Sequence, residues 1–142
     1  MKDAVQDDII KRFDGLEWLD RYGLLISFAK ELKPMDDKFK TEENSISGCQ
    51  SKVWIRTYRE DGKMLINLDS DAMITRGIIS LLLKVVNNRS PRDIVDLDLY
   101  FIEEIGLKSN LSPARADGLA SIISRIMEVA KKEANRDNSN TC

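Results

Sequence analysis

The chain opens with apolar side chains spaced three and four residues apart, as on one face of an α-helix. This pattern covers residues 3–13 and again 14–33. Asp14 and Glu17 stand three residues apart at the start of the second stretch, as in a capping box, so we expect a helix to begin there. The polar segment 34–44 follows with no period, which predicts an exposed loop.

The middle of the chain changes to a pattern typical of β-strands. Two short runs, 52–58 and 64–69, are rich in β-branched and aromatic residues and flank Asp61-Gly62, a typical two-residue hairpin turn. Residues 45–49 are expected to add a short third strand. The turn predicts three cross-strand pairs: Glu60 with Lys63, Thr57 with Ile66, and Ile55 with Leu68.

Three further helices are predicted in the second half of the chain. An almost wholly apolar run, 72–87, predicts the central helix of the core, with Asp69, Ser70 and Asp71 as N-cap candidates. The other two helices are expected to begin where a serine precedes a proline. These starts are Ser90-Pro91, with the helix ending near Gly106, and Ser112-Pro113, with the helix ending near Lys132.

The elements together predict an α+β fold in which several helices pack against a small antiparallel sheet of about three strands. A chain of 142 residues is long enough to bury a core as one domain. We assign this domain to residues 1–132. The polar residues 133–142 are expected to form a flexible tail.

Composition and charge narrow the classes of function. The formal net charge is -2, which gives no general attraction to nucleic acid or anionic lipid, so neither is expected as a partner. No segment has the apolar length of a signal peptide or a membrane span. We therefore expect a cytoplasmic protein.

The two cysteines, Cys49 and Cys142, stand in a chain without histidine. A zinc site with no second cysteine nearby and no histidine is nearly excluded, and a Cys-His catalytic pair is impossible. A structural disulfide is not expected for a cytoplasmic protein. Cys49 is therefore an inert core residue or a thiol whose reactivity comes from exposure, backbone N–H groups, a helix end or a cation.

The neighbours of Cys49 favour an accessible thiol. Ser47, Gly48, Gln50 and Ser51 form a polar and flexible frame around it. Glycine allows a positive φ or a close approach of the backbone. We therefore expect the thiol at a loop tip beside the sheet.

Three other features have two interpretations each. Asp69 and Asp71 could share a cation, but capping of the next helix explains them better. Arg115 is either a solvated surface residue or a cation near an anion such as a thiolate. Trp54, Arg56 and Tyr58 alternate on one strand face, which indicates packing more often than binding.

Three motifs resemble those of the SufE-like family of sulfur acceptors for cysteine desulfurases. These are NSISGCQSKVWI at 44–55, DSDA at 69–72 with Gly77, and LSPAR at 111–115 with Gly118-Leu119. They keep the order of that family over about residues 16 to 130. The resemblance implies a SufE/IscU-like fold of the α+β class.

The resemblance also implies a function. A family member takes persulfide sulfur from a desulfurase that carries pyridoxal phosphate (PLP), stimulates it, and delivers sulfur for iron-sulfur cluster assembly. Cys49 would be the acceptor, with six supporting residues. The implied partners are a SufS-like desulfurase and a SufBCD-like scaffold, and the chain would be a sulfur-transfer accessory without a cofactor or metal of its own. The implied supporting residues are Gly48, Gln50, Ser51, Asp69, Asp71 and Arg115.

Other interpretations of the residues stay open at this point. Cys49 and Cys142 could form a redox pair, the sulfur could serve another sulfur-using pathway, or Cys49 could be buried in a pure interaction module. The sequence also leaves open a monomer or a homodimer.

Overall fold

The computed structural model describes residues 3–139 and confirms the α+β class. Its α-helices form a core with the buried face of one β-hairpin. The elements are α1 (Ala4–Phe13), α2 (Trp18–Glu31), a 3-10 helix η1 (Asp37–Phe39), β1 (Val53–Glu60), β2 (Lys63–Ser70), α3 (Met73–Val86), α4 (Pro91–Val95), α5 (Phe101–Glu104), α6 (Leu107–Asn110) and α7 (Pro113–Ser139).

The predicted hairpin register is confirmed. Glu60 pairs with Lys63, and Ile55 pairs with Leu68. One face of the hairpin is buried because apolar residues alternate along most of both strands and point inward, with Thr57, Arg59 and Ser70 completing that face. The buried residues on this face are Val53, Ile55, Met64, Ile66 and Leu68.

The expected third strand at 45–49 is wrong, because the described sheet has two strands. Ser45 forms only an isolated bridge to Trp54. The chain turns sharply here, with the N–H of Asn44 donating to the carbonyl of Thr41, and that of Ser45 to Glu42. Two backbone bonds then join this segment to β1, from the N–H of Ile55 to the carbonyl of Asn44 and from the N–H of Ile46 to the carbonyl of Val53. The chain turns away after Ile46, at Gly48, before a strand can form.

The core is built around α3, as the apolar run predicts. Residues 78–82 and 85–86 of this helix are buried. α2 packs on α3 through Gly77, where an added Cβ would lie 2.3 Å from the carbonyl oxygen of Leu25. Only glycine allows this approach of the two helices.

The expected capping box at Asp14 is wrong. α2 begins at Trp18, and its N-cap residue Glu17 makes no side-chain capping hydrogen bond. Gly15 has a φ of 76°, and the N–H of Leu16 donates to the carbonyl of Phe13. Residues 14–17 therefore form the turn that ends α1.

The helix expected from Pro91 to near Gly106 is interrupted, although Ser90 caps its start as predicted by accepting from the N–H of Asp93. The break between α4 and α5 lies opposite the buried side chain of Gln6. Its amide donates to the carbonyl of Asp98 at 2.9 Å and accepts from the N–H of Phe101 at 3.1 Å. Bonds from α1 thus stabilise an irregular backbone here.

α7 continues to Ser139, so its expected end near Lys132 is wrong. Ala134 is buried, and Arg59 of β1 pairs with Glu133 at 3.6 Å and Asp137 at 2.9 Å. These contacts stabilise a stretch that looks polar in sequence. Cys142 lies outside the described residues.

No helix between residues 3 and 139 combines the length and the apolar character that a membrane crossing requires.

Candidate functional site

Cys49 lies on a loop that leaves and rejoins the edge of β1. The loop is closed by the N–H of Ile46, which donates to the carbonyl of Val53 at 2.9 Å. Gly48 has a φ of 88°, and a Cβ added there would lie 2.5 Å from Oγ of Ser121 on α7. The backbone conformation and the close approach to α7 both require glycine at this position.

The thiol of Cys49 is half-buried against α7. Its Sγ atom donates to the carbonyl oxygen of Gly118 at 3.7 Å. A Cβ added at Gly118 would lie 3.7 to 3.8 Å from the Cα, Sγ and Cβ atoms of Cys49. The missing side chain at Gly118 therefore lets the cysteine rest directly on the helix backbone.

Burial raises the pKa of the Cys49 thiol above its ordinary value. Removal from water disfavours the charged thiolate more than the neutral thiol. In this conformation the loop holds a protonated and weakly nucleophilic sulfur. A thiolate at this position would form more readily if the sulfur were exposed to water.

A cavity of about 290 Å³ opens beside the thiol. Its walls come from the Cys49 loop, the first turns of α3 and the first turns of α7. Apolar side chains form much of the interior, and one cation lies at its edge. The lining residues are Cys49, Gln50, Ser51, Ala72, Thr75, Ile78, Ala114, Arg115, Gly118, Leu119 and Ile122.

A second cavity, of about 360 Å³, lies on the other side of the same loop. Cys49, Gln50 and Ser51 line both cavities, so the loop forms the wall between them. Lys40 and Trp54 contribute to the second cavity. The thiol is thus placed between an apolar space and a more polar one.

Asp71 anchors the chain just after the cysteine. Its carboxylate accepts from the N–H of Lys52 at 3.0 Å, and its own N–H donates to the carbonyl of Lys52 at 3.2 Å. Ser70 adds a bond from its hydroxyl to the same carbonyl at 2.7 Å, and Ser51 contacts Thr75 at 3.3 Å between hydroxyl oxygens. The loop is therefore held at its C-terminal end.

Asp69, unlike the exposed Asp71, is fully buried, and its carboxylate contacts a different set of groups. Its carboxylate pairs with Arg76 and, at 3.6 Å, with Lys40. It also accepts from the N–H groups of Met35 at 2.9 Å and Ser70 at 2.8 Å. Asp69 thus joins the loop after α2 to the start of α3, outside the thiol cavities.

The expected capping of α3 by Asp69 or Asp71 is wrong. The N-cap residue is Ala72, which makes no side-chain capping bond, and Ser70 accepts from its N–H at 3.2 Å. Both aspartates point to other partners. Within the described part of the chain, no group of three metal-ligating side chains comes together.

Arg115 is exposed at the rim of the first cavity. Its N–H donates to Oγ of Ser112 at 3.3 Å, as expected for the start of α7. The structure therefore places the predicted residues Gly48, Gln50, Ser51 and Arg115 around or beside the thiol. Asp71 acts on the loop through Lys52.

Sequence reasoning missed two contacts of the loop on α7. Gly118 supplies the carbonyl that accepts from the thiol, and Ser121 meets Gly48. They stand three residues apart and so share one face of the helix. That spacing of small residues was the signal available in the sequence, but it does not reveal which loop packs there.

Comparison with known proteins agrees with the resemblance of the three motifs. The family model SufE, Fe-S metabolism associated domain, matches residues 7–130. A SufE-like protein from Rhizobium etli is 38% identical over 137 residues, which cover 92% of this chain and 93% of the relative. A SufE-like protein from Synechocystis is 40% identical over 102 residues, which cover 72% of this chain and 64% of the relative.

A plant relative and a solved structure extend the comparison. SufE-like protein 1, chloroplastic/mitochondrial, from Arabidopsis thaliana is 34% identical over 125 residues, 87% of this chain and 34% of the plant protein. The chain thus spans less than two thirds of the Synechocystis and Arabidopsis proteins. A solution structure of a hypothetical protein from Thermus thermophilus has the same fold, with a TM-score of 0.76 at 20% identity over 95% of this chain and 99% of the other. The family match over most of the chain and the similarity to full-length relatives show that this chain belongs to the SufE family of Fe-S metabolism associated domains.

Proposed function

We propose that this chain accepts sulfur on Cys49 from the persulfide of a PLP-dependent cysteine desulfurase and delivers it for iron-sulfur cluster assembly. The observation that carries the proposal is the position of Cys49. Its thiol lies on a loop between two cavities and rests on α7 through one S–H···O contact. Membership of the SufE family, an Fe-S metabolism associated domain, supports a role of this thiol in supplying sulfur for iron-sulfur clusters.

The transfer is an exchange between sulfur atoms. The Cys49 thiolate attacks the outer sulfur of the donor persulfide, forming a new S–S bond. The S–S bond to the donor cysteine breaks, and its electron pair leaves on that cysteine as a thiolate, which takes up a proton. No net oxidation occurs, and no histidine base is required.

An outward and a closed position of the loop suit two stages of this reaction, which are attack on the donor persulfide and storage of the transferred sulfur. For attack, the loop moves out, because the raised pKa in the closed state keeps the thiol protonated. After transfer, the cavity beside Cys49 has room for an added sulfur atom, and Ile78 and Leu119 limit its contact with water. Shelter of this kind protects a persulfide from unwanted thiols until delivery.

The remaining parts of the scheme belong to the partners. The donor is a SufS-like desulfurase that carries the PLP and is stimulated when its sulfur is removed. The acceptor is a SufBCD-like scaffold, or another sulfur-using pathway. In this scheme the chain acts as a sulfur-transfer accessory. Its cytoplasmic location stays a prediction, because the plant relative is named chloroplastic/mitochondrial.

The direct test is incubation of the protein with a SufS-like desulfurase and cysteine, followed by mass spectrometry. We expect a gain of one sulfur atom on Cys49 and faster sulfide release in the presence of reductant. Cys49→Ser should abolish both effects. Cys142→Ser is the matched control, because it removes the other cysteine of the chain, and it should behave as wild type.

Two results contradict the proposal. One is full stimulation of the desulfurase by Cys49→Ser. The other is loss of sulfur uptake in Cys142→Ser, which favours a redox pair of the two cysteines instead.

A further inference from the structure

The outward face of the hairpin carries a cluster of aromatic and cationic side chains. It faces away from the core, and residues of η1 and the segment just after it pack over it. Cations lie over aromatic rings throughout this cluster. We define the outer hairpin face by Lys38, Phe39, Lys40, Trp54, Arg56 and Tyr58.

Arg56 is the centre of the outer hairpin face. Its guanidinium carbon lies 3.7 Å from the ring centroid of Phe39 and 5.3 Å from that of Tyr58. Tyr58 is 48% exposed. A guanidinium stacked on rings keeps the edges that carry its N–H donors available and loses little side-chain freedom when it binds.

The charge of Arg56 is not neutralised in the described part of the chain. Nine ion pairs are present there, and none includes Arg56. Lys40 differs, because it pairs with Asp37 at 3.3 Å and Asp69 at 3.6 Å. Arg56 is therefore a fixed and unpaired cation in a chain whose net charge is -2.

The outer hairpin face continues into the thiol site. Trp54 precedes Arg56 by two residues on the same face of β1, and Trp54 and Lys40 line the cavity that Cys49 also lines. A protein that engages Cys49 from this side therefore meets Trp54 first and Arg56 next. Arginine, tyrosine and tryptophan are the residues most enriched at interface hot spots.

We propose that the outer hairpin face is a docking surface for the sulfur donor and that Arg56 binds a carboxylate on the surface of that donor. This inference rests on the proposed function, because the donor is the partner that approaches Cys49. A carboxylate fits because a guanidinium donates two parallel hydrogen bonds to its oxygens. The rings of Phe39 and Tyr58 then exclude water from the pair.

The experiment measures the dissociation constant for a purified SufS-like desulfurase and the rate of sulfur uptake at increasing desulfurase concentrations. For Arg56→Glu we expect roughly tenfold weaker binding, in the range of a hot-spot residue, and unchanged uptake at saturation. Arg56→Gln keeps the length of the side chain without its charge and should weaken binding in the same direction. Arg56→Lys should recover part of the loss.

The control is Arg92→Glu, which reverses an exposed cation on α4 that lines neither thiol cavity. It should bind as wild type, and binding of wild type should weaken with added salt more than that of Arg56→Glu. Equal binding of wild type and Arg56→Glu, or equal weakening by Arg92→Glu, overturns the docking surface. Failure of the proposed function gives a different result from failure of the docking surface, because the wild-type protein itself then takes up no sulfur.

Discussion

The Sγ atom of Cys49 lies 3.7 Å from the carbonyl oxygen of Gly118, in the second turn of α7. The cysteine can reach a helix backbone because residue 118 has no side chain long enough to fill the space between them. The thiol is partly buried in this position, and that burial raises its pKa. The packing that shelters the thiol therefore also lowers its reactivity.

Substitutions at Gly118 should change the exposure of the thiol. In Gly118→Ala the added Cβ lies at ordinary contact distance from Cys49, so the loop stays closed and α7 gains about 1 kcal/mol of helix propensity. In Gly118→Leu the longer side chain occupies the place of the cysteine and displaces the loop. We expect severalfold faster alkylation of Cys49 in Gly118→Leu only, measured in a Cys142→Ser background. Alkylation of both variants at the wild-type rate contradicts this role of Gly118.

The pH dependence of Cys49 alkylation should report the burial of the thiol. Because its pKa is raised, the rate in the native protein should rise with pH through a midpoint above that of a peptide cysteine, about 8.5. In urea the midpoint should return to the peptide value. The folded protein should also lose stability as pH rises from the pKa of the unfolded chain through that of the native thiol. Cys49→Ser, the control, should lack this loss, and a native midpoint below the peptide value contradicts the assignment.

The hairpin could be predicted from the sequence because its determinants are local. Asp61 and Gly62 define the turn, and the alternation of the strands defines the buried face. The interruption near residue 98 could not be predicted, since it depends on Gln6, which is 92 positions away from Asp98 in the chain. The helix beyond Lys132 likewise depends on Arg59 in the hairpin. Long-range polar contacts account for both errors.

The residues of the site likewise divide into those that local sequence predicts and those that depend on distant contacts. Gly48 and the polar neighbours of Cys49 indicate a loop thiol in the sequence, and the structure places it there. Asp71 resembles a helix cap because it precedes an apolar run, yet its carboxylate binds the N–H of Lys52. The spacing of Gly118 and Ser121 indicates a helix face of small residues, but the partner of Ser121 is defined only once Gly48 packs on it.

Gly48 and Ser121 should be energetically coupled. Gly48→Ala forces a side chain into the left-handed region, at a cost of about 1–2 kcal/mol, and brings its Cβ to 2.5 Å from the Ser121 hydroxyl oxygen. Ser121→Ala removes that oxygen, so the double variant should lose less stability than the sum of the two single variants. Urea unfolding of the four proteins measures this difference. Strictly additive losses contradict the contact.

Asp69 and Asp71 provide a matched pair that separates stability from loop anchoring. Asp69→Asn removes a buried charge that pairs with Arg76 and Lys40, so we expect a loss of about 3 kcal/mol in the free energy of unfolding. Asp71 is exposed and accepts one hydrogen bond, from Lys52, so Asp71→Ala, which removes that acceptor, should cost only about 1 kcal/mol. Asp71→Ala should nevertheless speed the alkylation of Cys49, because the loop loses one of the bonds that hold its C-terminal end. Urea unfolding and alkylation test both variants, and equal stability losses with unchanged alkylation contradict the distinction.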